Sequence, residues 1–305
     1  MATAVRAAEL TVEASDAGAV VRVDGEVFAE YLKESGRQPA IWPVIGPSGK
    51  PVTRAYPIGP RGPHEEADHL HHRSIWFSHG LVNGLDFWTT REESLSAGAP
   101  QNRIVHQEFT ITQVQNGIAT IGTRNQWISK DDKTICNDER LVRFGVEDDA
   151  RWIDFTITLM ASHGDVTLGD TKEGAFGVRV AGTMKLDAKQ GGRIVSSTGR
   201  RDKDAWGQAA EWVDYVGPVE GETLGIAIFS HPDNFRLPCR WHVRSYGLFA
   251  ANPFGRHHFP PGEPEQGEHT IRDGESLTLH YRVVIHRGDT IEGKIPERYA
   301  AFVRE

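Results

Sequence analysis

The stretch Ile104-Val-His-Gln-Glu-Phe-Thr-Ile-Thr-Gln-Val114, Gln115-Asn116-Gly117, Ile118-Ala-Thr-Ile-Gly-Thr-Arg-Asn-Gln-Trp-Ile128 reads as two β-rich runs joined by Asn-Gly. Both turn residues tolerate positive φ, which makes this dipeptide the strongest short-range signal for a hairpin. The pattern then repeats: a run at 140–146, an acidic turn Glu147-Asp148-Asp149, and a second run at 152–160. In that run Ile153, Phe155, Ile157 and Leu159 alternate with Thr156 and Thr158, so the apolar and polar sets take opposite faces.

Working outward, strands are expected at 10–14 and 19–23, separated by Asp16-Ala17-Gly18, and at 177–184, 224–229, 241–250 and 276–286. In the last, Leu277, Leu279, Tyr281, Val283 and Ile285 share one face. Helical periodicity is confined to a short turn at 203–210 and a terminal helix at 297–303. Closely spaced strands with Gly and Pro punctuation predict an all-β fold, a large antiparallel β-sandwich with few short helices. No linker divides the chain, so residues 1–305 read as a single domain. Two long Pro/Gly-rich loops, 45–63 and 253–267, have the character of binding loops.

With 305 residues and 8 Trp, the chain can bury a sizeable core. Its net charge of −8 and lack of a basic stripe argue against nucleic acid as a partner. The two cysteines, Cys136 and Cys239, lie far apart and suit a reducing cytoplasm. The opening MATAVRAAELTVEAS has no apolar signal-peptide core. No run of about 18 apolar residues suggests a membrane span. The expectation is a cytoplasmic protein without a membrane partner; the oligomeric state stays open.

The chemistry concentrates in Asp68-His-Leu-His-His-Arg-Ser-Ile-Trp-Phe-Ser-His79, which holds four histidines, His69, His71, His72 and His79, within eleven residues. If 69–73 is extended, His69, His71 and Arg73 share a face and His72 takes the other. In one reading they form the wall of a polar pocket that holds sugar hydroxyls or a carboxylate, with one His as acid or base. In another, His69 and His71 bind a divalent metal with a third ligand from elsewhere. In the plainest, they are half-buried structural histidines.

Three further groups stand out. Glu173 opens a run in which Arg179 lies between Val178 and Val180. An inward Arg there needs an anionic partner. Trp206, Trp212, Asp214 and Tyr215 mix aromatic faces with carboxylates, as sugar sites do. His242, Arg244 and Tyr246 would share a strand face, with His257 and His258 following. The motifs GxGxxG, GxSxG, HExxH and CxxC are absent, which removes weight from nucleotide cofactors, serine nucleophiles and zincin chemistry.

A set of motifs runs from 31 to 286: Tyr31; Pro43-x-x-Gly46-Pro47-x-Gly49; Thr53-Arg54; the block Asp68-His-Leu-His-His-Arg through Asp86-Phe-Trp88; Glu173-Gly174; Trp206-Gly; Trp212-x-Asp214-Tyr215; His231-Pro-x-Asn234; Trp241; and Asn252-Pro-Phe-Gly255. In this order they resemble the PmoA-like family of bacterial and fungal proteins, a domain of unknown function. The resemblance implies a galactose-mutarotase-like sandwich and a setting in sugar catabolism. By analogy with mutarotases it offers His as acid and Glu as base, although fold alone does not fix a reaction.

The combined expectation is a carbohydrate-active enzyme of the epimerase, lyase or glycoside hydrolase type, acting on a sugar or an oxidised glycoside. His71, Glu173 and His242 would be catalytic. His69, His72, Arg73, His79, Arg179, Trp206, Arg244 and His258 would bind a small-molecule sugar. No cofactor is required in this reading. The alternatives are a non-catalytic sugar-binding or sensor module, and a cupin-like enzyme with a divalent metal on His69 and His71. The sharpest geometric expectation is that His69 and His71 face the same cleft as His242 and Arg244.

Overall fold

A computed structural model describes residues 8–90, 99–147, 149–260, 262 and 267–305. Asp148 of the acidic turn, parts of the second long loop and the first seven residues of the amino-terminal stretch lie outside that range.

Among the described residues a nine-stranded sheet runs in the order β1 (Leu10–Ala14), β2 (Gly18–Val23), β3 (Glu26–Ser35), β4 (Gln38–Val44), β5 (Ile75–His79), β11 (Gly174–Arg179), β17 (Leu248–Asn252), β16 (Cys239–Trp241) and β13 (Ala209–Ala210). An eight-stranded sheet runs β12 (Arg193–Ser196), β14 (Trp212–Val219), β15 (Glu222–Ser230), β19 (Ser276–Arg287), β9 (Ala150–Met160), β8 (Thr134–Val146), β7 (Ile118–Ile128) and β6 (Arg103–Gln115). A short ribbon joins β10 (Val166–Leu168) to β18 (His269–Ile271). The paired strands are antiparallel throughout.

The β6–β7 hairpin forms as its turn chemistry requires. Gln115 pairs with Ile118, and Asn116 and Gly117 take φ values of 51° and 74°. The alternation on β9 and β19 also holds. Ile153, Phe155, Ile157, Leu159, Leu279, Tyr281, Val283 and Ile285 join one core cluster with Phe176, Val178, Phe249 and Ala251 of the other sheet. Phe176 stacks on Tyr281 with centroids 4.7 Å apart and meets Phe155 at 4.8 Å, which ties the two sheets together. Burying each such side chain is worth about 1.5–3 kcal/mol. The fold is an antiparallel β-sandwich.

Two expected strands are shorter than the pattern suggested. The 241–250 run is not one strand, because the chain doubles back within it. His242 and Ala250 exchange backbone hydrogen bonds at 2.9 and 3.2 Å. Gly247, at φ 100°, closes the turn by donating to the Arg244 carbonyl at 3.1 Å. The 177–184 run leaves the sheet after Arg179 and turns, with the Met184 N–H bonded to the Ala181 carbonyl at 3.0 Å. At 203–210 there is a 3-10 turn over Asp202–Ala205, and the terminal helix α1 spans Ile295–Phe302. Among the described residues, no helix is long and apolar enough to cross a membrane.

Candidate active site

Pairing register places two rows of side chains on the outer face of the first sheet, away from the sandwich core. Trp76 on β5 lies opposite Gly177 on β11, and Gly177 lies opposite Ala250 on β17. Ala250 in turn pairs with His242. Residues directly opposed in an antiparallel pair point to the same side, so Trp76, Gly177, Ala250 and His242 form one row. The neighbouring row is Arg179, Leu248 and Arg244, since Arg179 is opposite Leu248 and the Arg244 N–H donates to the Leu248 carbonyl at 2.7 Å. Gly177 is required here: a Cβ on it would sit 2.9 Å from the Trp76 ring.

Over this floor lies the histidine-rich segment, and it is a turn rather than a strand. His69 has φ 44°, and the His72 N–H donates to the His69 carbonyl at 3.0 Å. The expected alternation of faces therefore fails. The three rings pack together, with centroids 4.7 Å apart for His69 and His72, 4.4 Å for His71 and His72, and 5.7 Å for His69 and His71. Arg54 holds the turn. Its buried guanidinium donates to the carbonyls of Tyr56 (2.7 Å), Asp68 (2.8 Å) and His69 (3.0 Å) and to Asp68 Oδ1 (2.6 Å). Asp68 Oδ1 also accepts from Arg179 at 3.3 Å, and Asp68 Oδ2 accepts the His69 Nδ1–H at 2.7 Å.

The His72 and Tyr246 rings lie side by side, 6.3 Å apart and 10° from parallel, and His69 stacks across both, at 11° and 16°, with centroids 4.7 and 4.9 Å away. With Nδ1 committed to Asp68, the edge bearing Nε2 remains, and the side chain is 37% exposed. The stack continues sideways: Arg179 lies 4.8 Å from the Tyr246 ring centre, and Arg244 lies between Tyr246 (5.6 Å) and Trp206 (5.5 Å). His69 and Arg244 thus share one wall through Tyr246, with His242 in the adjacent row. His71 joins that wall through its contacts with His69 and His72.

The charges are arranged as follows. Burial pushes the Asp68 carboxyl up, but the hydrogen bond from His69 and the Arg179 and Arg54 guanidiniums overcome this and hold it well below the usual range. Burial, with Arg54 nearby, brings Arg179 down to about 10. Arg179 Nη1 donates to His72 Nδ1 at 2.8 Å. Burial, then the charge of His71 and Arg179, keeps His72 neutral, so its proton is on Nε2. His242 is driven down to about 3 by burial and Arg244. Its Nδ1–H donates to the Lys172 carbonyl at 2.9 Å, leaving a lone pair on Nε2. Glu173 is raised, first by burial and then by Asp86, against the lowering fields of Lys172, His69 and Arg244. Its side chain is 30% exposed, and Lys172 Nζ stands 3.9 Å away.

Not every expected residue belongs here. His71 is half-buried and pushed down to about 3 by burial and the charge of His69, and its Nδ1 has no hydrogen-bond partner. His79 points toward the sandwich interior, edge-on to Phe254 at 5.1 Å, with Nε2–H donated to the Gly169 carbonyl at 2.8 Å. It stacks on none of the other three histidines, because it lies three strand residues past Trp76, beyond the turn. His258 is exposed and pairs edge-on with His257 at 5.4 Å. Arg73 donates through Nε to the Leu70 carbonyl at 2.7 Å and lies over the Gly36 turn. Trp206 is present, but behind Arg244. Among the described residues no group of three or more His, Cys, Asp or Glu side chains is arranged to hold a metal ion, and the rings of His69 and His71 meet edge to face. The site residues assigned from sequence left out Asp68, Arg54 and Tyr246, although Tyr246 was read onto one face with His242 and Arg244 and the other two lie in the quoted motifs. Adjacency of Asp68 to His69 was the available signal for the first.

Residues 18–300 match the model of DUF6807, a family of unknown function. That match carries no PmoA-like label. Among solved structures the chain is similar to a galactose mutarotase-like protein from Clostridium acetobutylicum, at 9% identity and a TM-score of 0.47 over 92% of this chain and 99% of that one. It is similar to another from Lactobacillus casei, at 11% identity and 0.41 over 91% and 100%. A β-arabinopyranosidase follows at 10% identity and 0.36, over 92% of this chain and 38% of that one. No curated protein matches in sequence.

Proposed function

The chain belongs to DUF6807, a family of unknown function, and on the chemistry of the outer sheet face we propose that the protein is a carbohydrate-active enzyme working by acid–base proton transfer. The observation that carries this is the state of His69. Its Nδ1–H is fixed by Asp68 and its ring is stacked across His72 and Tyr246, so one nitrogen of one tautomer, Nε2, is offered to a ligand. That is how a proton-transfer group is preorganised. The acid–base role expected of His71 passes to His69, since a histidine driven down to about 3 exchanges no proton near neutrality.

Glu173 is the second member of the pair. It lies within the electrostatic field of His69 and Arg244, and burial raises it toward the working range of a base. His242 Nε2 is a neutral acceptor in the same row. Tyr246 and Arg244 supply donors for sugar oxygens, and the buried Arg179 adds a cationic field for charge that develops on them. Epimerisation, elimination and glycoside hydrolysis all need such a pair. With this proposal go the kinship to PmoA-like proteins, a single domain over residues 1–305 and a cytoplasmic place of work, the last in keeping with two unpaired buried cysteines.

The test is turnover of a panel of glycosides, free sugars and sugar acids followed by proton NMR. Wild type converts at least one member. Glu173→Gln and His69→Gln lose about 10²–10⁴-fold in rate while still binding it in a thermal-shift assay. Full activity in both variants contradicts the assignment. Binding without turnover across the panel supports a sugar-sensing module instead.

A further inference from the structure

Beside the His69–Glu173 pair, and sharing Arg244 with it, is a cleft of about 290 Å³ lined by Lys203, Trp206, Val243, Arg244 and Ser245. This is near the lower end of the size range for small-ligand sites. Its lining holds two cations and one broad aromatic face, and no carboxylate. The Arg244 guanidinium lies 5.5 Å from the Trp206 ring centre and 5.6 Å from that of Tyr246. Neither Arg244 nor Lys203 has an ion-pair partner among the described residues. Glu173 feels the charge of Arg244 but stands beyond ion-pair distance. At the rim, Asp187 accepts a hydrogen bond from Ser245 Oγ at 3.0 Å. The buried Trp206 Nε1–H has no acceptor.

On the other side of Tyr246, Arg54 and Arg179, 1% and 2% exposed, both pair with Asp68, and the Glu65 carboxylate adds its field at Arg54.

We infer that the Trp206–Arg244–Lys203 cleft is a subsite for a carboxylate-bearing sugar, a uronic acid unit, next to the acid–base pair. The sugar ring lies against the Trp206 indole and its carboxylate meets the edge of Arg244, a planar fork suited to two parallel hydrogen bonds, with Lys203 closing the pocket. This rests on the acid–base reading of the adjoining site.

The test is calorimetric titration of the full chain with digalacturonate, neutral galactobiose and galactose 6-phosphate. Wild type binds digalacturonate at least about tenfold more tightly than galactobiose. Lys203→Glu weakens digalacturonate about tenfold or more and leaves galactobiose within twofold, and Arg244→Gln weakens digalacturonate by at least as much. Lys203 is exposed, so its variant folds whatever becomes of Arg244→Gln. Equal binding of the neutral and acidic disaccharides overturns the subsite and leaves the acid–base proposal standing. Preference for the phosphate over the uronate also overturns it. Failure of all three to bind overturns both.

Discussion

Asp68 ties the charged part of the site together: it pairs with Arg54 and Arg179 and fixes the tautomer of His69. Asp68→Asn keeps an oxygen for His69 but removes the charge facing two buried guanidiniums. The expected cost is about 3 kcal/mol in urea unfolding, together with a lower kcat and little change in KM; an unchanged kcat would make Asp68 purely structural. Glu173 gives a prediction in pH. Its carboxyl is raised by burial, so if it acts as the base, kcat/KM falls as pH drops through a value above the ordinary glutamate pKa of about 4.3, and Glu173→Gln abolishes that limb of the profile. The histidine cluster was legible as chemistry, yet its geometry was not. Alternation assigns faces only to extended chain, and this segment is bent by Arg54, which lies fourteen residues before Asp68 and is silent in any local pattern.

At the level of elements, the hairpins were readable because their turns are local: Asn116-Gly117 needed nothing beyond its own φ preferences. The break in 241–250 was harder to see, since Gly247 lies among residues that otherwise alternate well. That break sets the spacing of His242 and Arg244. Gly177 on β11 tests the floor. In Gly177→Val the added carbons must displace the Trp76 ring, at an expected cost of about 1–3 kcal/mol and with loss of sugar binding. A stable variant with native affinity would dissociate the floor from the site. Near α1, His286 donates through Nε2 to Asp214 Oδ1 at 3.1 Å and through Nδ1 to the Arg287 carbonyl at 3.1 Å, while Thr290 donates to Asp214 Oδ2 at 2.7 Å. Burial works to lower this histidine, but Asp214 raises it above its ordinary value. A raised histidine stabilises fully below its unfolded pKa of about 6.5 and loses that contribution as pH rises through its folded value. The stability gap between wild type and His286→Gln therefore narrows as pH rises above about 6.5.

For the whole molecule the sign of the pH dependence reverses, because more histidines are buried neutral than are paired. Burial is the leading cause in each case, lowering His71 and His242 to about 3, His79 to about 4, and His72 well below its usual value. The folded state then binds fewer protons than the unfolded state below pH about 6.5. Stability is retained above that value and falls steadily as pH drops toward 4, outweighing His286. Tm measured from pH 6.5 down to 5 should decrease throughout, and a flat or rising Tm over that span would contradict this. The sandwich was legible from sequence at this scale because β alternation repeats over many strands, whereas the site joins a turn, two sheet rows and a hairpin that meet only in three dimensions. The most direct measurement is a crystal structure with the tightest-binding sugar of the panel. The sugar is predicted over the Gly177–Ala250 floor, with a reacting atom within hydrogen-bond reach of both His69 Nε2 and the Glu173 carboxylate; a sugar bound elsewhere, with both groups untouched, would contradict it.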